Sequence, residues 1–208
     1  MNNYWNMEEL LPEENFYNEA LNYYQSAIVL SKSEEVLDEE YDLFGPIIYL
    51  LRHAIELMFK SLIIMSLYEQ NIRCWNEQKL SPHDRKLMSM HSLRALYETY
   101  MEQRYKLGKG ESKELDEIGS IVERFDDVDF SSTFFRYPYD KKGVKNSKLL
   151  TEDVGDMLMK MPCCLGNFVY HEGVEKFSCL HREGMIDDVQ IELKIVFQKL
   201  QTLFQEEK

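Results

Sequence analysis

Pro46-Ile-Ile-Tyr-Leu-Leu-Arg-His-Ala-Ile-Glu-Leu-Met-Phe-Lys-Ser-Leu-Ile-Ile-Met-Ser-Leu67 is the most apolar stretch of the chain, and the fold turns on how it is read. It approaches the length that spans a bilayer, but Arg52, His53, Glu56 and Lys60 interrupt it, and charges at mid-bilayer depth are expensive. Its apolar residues fall on nearly every side of a helix, the pattern of a central helix packed by several neighbours. The four polar residues are not spread around that helix. They share an arc of about 100°, and Arg52–Glu56 and Glu56–Lys60 are both i,i+4 pairs, so one carboxylate bridges two cations. Tyr49, Phe59 and Ile63 lie on or beside the same arc, which argues against a fully wetted face. Three readings of this stripe compete: a structural polar cluster, an exposed ladder of ion pairs, and the wall of a catalytic or ligand site. The structural reading is favoured, because buried charges must be paired and stranding one partner costs about 3–5 kcal/mol.

Outward from this helix, the chain carries further helical periods. Phe16, Ala20, Tyr23, Ala27 and Leu30 predict a helix over Glu13–Ser31, entered through Pro12 and an acidic first turn. Asn71–Met90 reads as a long polar connection. A helix opens near His91 or Ser92 with Leu93, Leu96, Tyr97 and Tyr100, and Gly108-Lys-Gly110 ends it. Ser112 is a good N-cap for the next, whose stripe is Leu115, Ile118, Val122 and Phe125. From Asp126 to Leu150 the period fails, and Phe130–Asp140 reads as an ordered, aromatic-rich loop. Thr151 caps a segment with Val154, Met157, Leu158 and Met161 that Pro162 kinks or ends. The last helix, about 186–205, is amphipathic through Ile186, Val189, Leu193, Val196, Leu200 and Leu203; its stripe either completes the bundle or pairs with a second copy.

At 208 residues, 44% hydrophobic and with only 9 Gly and 5 Pro, the chain suits one all-α domain over 1–208. The formal charge of −13, from 37 acids against 24 bases, repels polyanions at long range. RNA therefore becomes a partner only through a local basic patch, and an anionic membrane is disfavoured. Met1–Glu14 lacks a signal-peptide pattern, and Cys74, Cys163, Cys164 and Cys179 form neither a CxxC pair nor a disulfide ladder. Both features point to a reducing cytoplasm. Adjacent Cys163-Cys164 and the lone Cys179-x-His181 pair do not make a metal site. Gly108-Lys-Gly110 lacks the context of a phosphate-binding loop, so no cofactor is expected.

The string Leu50-Leu-Arg-His-Ala-Ile-Glu-Leu-Met-Phe-Lys-Ser-Leu-Ile63 resembles the signature helix of HEPN-domain proteins, with its H/Q-A-x-E-L-x-x-K-x-L pattern. His91-Ser-Leu-Arg-Ala-Leu96 resembles the family's H-D/S-L-x-x-L helix start, and Phe135-Arg-Tyr-Pro-Tyr-Asp140 its R-Y-P turn. The three landmarks stand in the family's order and span roughly residues 45–140. The resemblance implies an up-and-down bundle of four to five core helices, about 13–170, often dimeric, with the C-terminal helix as an addition. Many members belong to prokaryotic toxin–antitoxin, abortive-infection or CRISPR-linked systems. Some are metal-independent endoribonucleases, and others bind a nucleotidyltransferase, a nucleotide or RNA without catalysis.

Active members carry Arg, four to six residues, then His: the imidazole moves a proton near neutral pH and the guanidinium stabilises the phosphorane-like transition state. Arg85-Lys-Leu-Met-Ser-Met-His91 is the formal match here, although His91 already serves as the helix-opening histidine. Arg52 and Arg136 are further candidates for the cation. The favoured expectation is a non-catalytic interaction domain acting through a protein partner or homodimer. In it Arg52, His53, Glu56, Lys60, His91, Arg136 and Tyr137 form one polar cluster, with Arg136 bonded to Glu56 or to an acidic loop residue. The alternatives are an endoribonuclease and a nucleotide-binding module that uses the stripe as its pocket wall.

Overall fold

The computed structural model describes residues 12–32, 44–72, 82–129 and 185–208. Among them the chain is all-α, with six helices: α1 (Pro12–Ser31), α2 (Phe44–Glu69), α3 (Pro82–Ser89), α4 (Leu93–Lys106), α5 (Lys113–Asp129) and α6 (Met185–Glu207). Their ends follow local chemistry. α1 opens on Pro12 with Glu13 and Glu14 in its first turn, where a missing N–H and negative charge are both well placed. α2 closes on Asn71 at φ 58, with Asn71 N bonded to Tyr68 O and Ile72 N to Leu67 O, both at 2.9 Å. α4 closes the same way on Gly108 at φ 72, its amide on Tyr105 O and that of Lys109 on Arg104 O. In both, a left-handed residue lets the next amides reach back to the last carbonyls.

α2 is the axis of the packing and touches α1, α4 and α6, while α5 packs on α4 and α6. Ile47, Ile48, Leu51, Ile55, Met58, Leu62 and Ile64 are fully buried along it. Side chains of this size each contribute about 1.5–3 kcal/mol on leaving water, which is why the segment folds as a core helix. The helices around it each turn one stripe inward, such as Leu115, Ile118, Val122 and Phe125 of α5.

One correction to the sequence reading follows. Within the supposed connection Asn71–Met90, residues 82–89 wind into α3, with Pro82 as first residue and Leu87 buried as its anchor. Of the two roles open to its stripe, the C-terminal helix takes that of completing the bundle. It packs on α2 and buries Leu193, Val196, Phe197, Leu200, Leu203 and Phe204. Tyr17 stacks on Phe204 at 4.1 Å and Tyr24 on Phe197 at 4.2 Å, so α1 and α6 run antiparallel in register. At its far end, Glu207 accepts from Arg104 and from the Tyr100 hydroxyl. Burial and the Glu207 charge raise the Tyr100 phenol well above its ordinary value, so it stays a donor there.

Phe197→Ala should lower stability by about 3–5 kcal/mol, read as a fall in the urea midpoint, whereas Ile191→Ala, an exposed position of the same helix, should stay within about 0.5 kcal/mol of the parent. Equal midpoints for the two variants would remove α6 from the core.

Candidate functional site

Arg52, Glu56 and Lys60 follow one another at single-turn intervals along α2, and the structure takes the whole stripe out of water: their exposures are 1%, 1% and 3%. Glu56 sits between its neighbours. Arg52 Nη1 donates to Glu56 Oε2 at 3.3 Å and Lys60 Nζ to Oε1 at 2.9 Å. The burial that drives α2 inward thus forces the charges into contact, since a lone ion there would be strongly unfavourable.

The start of α4 closes over this trio. Arg52 Nη2 donates to the backbone carbonyl of His91 at 2.5 Å, and His91 Nδ1 lies 3.1 Å from Glu56 Oε1. Burial by itself would raise the Glu56 carboxyl, but the adjacent His53 imidazole and the Lys60 ammonium overcome it and hold the group down at about 2. An ionised carboxylate only accepts. Nδ1 of His91 therefore carries the proton, and in the neutral ring Nε2 keeps its lone pair. The His91 side chain is 48% exposed, so it is the part of the cluster that meets solvent.

His53 acts on the carboxylate from beside it, without a hydrogen bond. Its Nδ1 is 3.9 Å from Glu56 Oε2, beyond hydrogen-bond length. Its ring meets Tyr23 edge-on at 4.5 Å and stacks with Tyr49 at 5.8 Å, which ties α1 to the same face of α2. Arg85 is exposed on α3. Arg136 and Tyr137, expected to complete the cluster, lie outside the described residues. The two cations observed on Glu56 come from its own helix.

One contributor was missed in the sequence. Asp126, near the end of α5 and 2% exposed, accepts from Ser92 Oγ and from Leu93 N, both at 2.7 Å. Ser92 itself caps α4 by accepting from Ala95 N at 3.0 Å. The dipeptide His91-Ser92 is therefore gripped from two sides, by Glu56 and Arg52 of α2 and by Asp126 of α5. The signal was present in the spacing: Ile118, Val122 and Asp126 form one i, i+4, i+8 row, and a carboxylate at the end of a core row needs a buried donor.

The chemistry open to this arrangement is narrow. Both ends of the Arg52 guanidinium are engaged and the side chain is sealed, so it does not reach a phosphate in solvent. Among the described residues no three His, Cys, Asp or Glu side chains gather to hold a metal ion, and no helix is long and apolar enough to cross a membrane.

Glu56→Gln should destabilise the protein by about 3–5 kcal/mol, because two buried cations lose their counter-charge. Since the folded carboxyl is held below its ordinary value of 4.5 at about 2, the stabilisation is complete above that ordinary value and lost as pH falls towards 2. Denaturation midpoints measured against pH should show this acid limb in the parent and a flatter one in Glu56→Gln. Asp126→Ala should cost about 1–3 kcal/mol through the stranded Leu93 amide and Ser92 hydroxyl; an unchanged melting temperature would contradict the grip from α5.

Comparison with protein-family models, with curated proteins and with solved structures finds no match for the chain.

Proposed function

We propose that the chain is a non-catalytic, HEPN-like helical interaction domain that works through protein contacts, in a prokaryotic defence or toxin–antitoxin setting. The family part of this reading rests on the signature helix, the His91-Ser-Leu start and the Arg-Tyr-Pro turn of the sequence. The observation that carries the non-catalytic part is the sealing of Arg52, Glu56 and Lys60. Charges that neutralise one another inside a helix bundle hold the fold together and have nothing left to offer a substrate. The bundle then acts through its acidic exterior, on a protein partner or a second copy.

One observation favours a second reading, a metal-independent endoribonuclease. The half-exposed His91 ring has its Nδ1 fixed on a buried carboxylate, the arrangement that orients a histidine as general base. Arg85, exposed on the helix before it, is then the cation for the transition state.

The two readings part in one set of assays. The interaction domain leaves total RNA intact in the presence of a chelator, gives no nucleotide-dependent rise in melting temperature, and co-purifies with a co-expressed neighbouring gene product or as a homodimer by light scattering. Metal-free RNA degradation that vanishes in a folded His91→Ala variant would replace the first reading with the second.

A further inference from the structure

A groove of about 310 Å³ opens between α4 and α5, away from the buried cluster on α2. Tyr97 and Glu98 line it from α4, and Asp116, Gly119 and Glu123 from α5. On α5 the three stand at i, i+3 and i+7, one continuous face of that helix. Gly119 matters because it has no side chain: a Cβ there would lie 2.8 Å from Tyr97 Cζ. Its absence lets the tyrosine ring lie against α5, where the hydroxyl donates to Leu115 O at 3.1 Å. The ring is thereby a fixed wall of the groove.

The edges are acidic. Glu98, Asp116 and Glu123 are all exposed, while Arg94, the cation among the described lining residues, donates to the backbone carbonyl of Glu123 at 3.2 Å. The tyrosine registers the local field: its hydroxyl is raised above the ordinary value by burial and then by the charges of Asp116, Glu111 and Glu123. A rigid aromatic ring flanked by carboxylates recognises a guanidinium or ammonium group, through charge-assisted hydrogen bonds and the ring's negative face. The formal charge of −13 extends the same preference over the whole molecule and steers a basic partner towards it.

We propose that the α4–α5 groove docks an arginine- or lysine-bearing segment of a basic protein partner. This rests on the reading of the chain as a protein-contact domain and names the face and the chemistry of the contact.

Isothermal titration of the full chain with an acetylated hexa-arginine peptide tests it. The parent should bind at low salt and lose affinity as salt rises. The triple variant Glu98→Gln, Asp116→Asn, Glu123→Gln should weaken binding about tenfold or more, roughly one decade in Kd. A control of equal charge, Glu19→Gln, Glu102→Gln, Glu206→Gln, changes exposed acids outside the groove and should keep affinity within about twofold of the parent, well under one decade. Tyr97→Leu should weaken binding while its circular dichroism still reports a folded helical protein. Equal losses in the groove variant and the control would reduce the effect to net charge and overturn the proposal, as would an absence of binding to the parent. Either result leaves the protein-contact reading standing, since another face can serve it; metal-free RNA cleavage by the full chain would end that reading itself.

Discussion

The carboxylate of Glu56 is the interaction on which the rest of the bundle depends. An axial helix that touches three others cannot keep a wet side, yet α2 carries two cations in its middle turns. Glu56 resolves that conflict by accepting from Arg52 and Lys60 at once, one oxygen to each. With the charges satisfied inside the helix, its whole circumference is free to pack, and α1, α4 and α6 close around it. A hydrophobic trio of similar volume would serve packing as well or better. What the polar trio adds is direction, because Arg52 Nη2 and Glu56 Oε1 both reach His91 in the His91-Ser92 turn.

That turn links the axis to the outer layer. Arg52 and Glu56 hold it from α2, and Asp126 holds it from α5. The start of α4 is thus set by two buried carboxylates, and the position of α4 in turn sets the groove it shares with α5. The face proposed to meet a partner and the cluster that seals the core are joined through one helix. A half-exposed imidazole stands at the junction, where the internal network meets solvent.

Much of this was legible beforehand. The boundaries of α1, α4, α5 and α6 follow from Pro12, Ser92, Gly108, Ser112 and periodic apolar residues, which are local signals with local causes. The paired spacing of Arg52, Glu56 and Lys60 was legible for the same reason. α3 escaped notice because its eight residues are mostly polar and show no usable period, and among those whose burial is described Leu87 is the one inside the core. Asp126 escaped because a carboxylate at a helix end reads as solvated until the Leu93 amide is seen beside it. Arg136, also expected beside Glu56, lies outside the described residues, and the two cations seen on the carboxylate are the i,i+4 pairs that the spacing of α2 offers.

The sequence by itself determined the helical class, the central role of α2 and the need to pair its charges, since periodicity and the unfavourable burial of an ion act within a few turns of chain. Only the tertiary structure decided that the C-terminal helix belongs to the core, that Asp126 grips the start of α4, and that Tyr97 lies across Gly119 to wall a groove. Each of these joins residues tens of positions apart or more. Such contacts form when faces of similar shape and polarity exclude water together, and no single segment encodes which face it will meet.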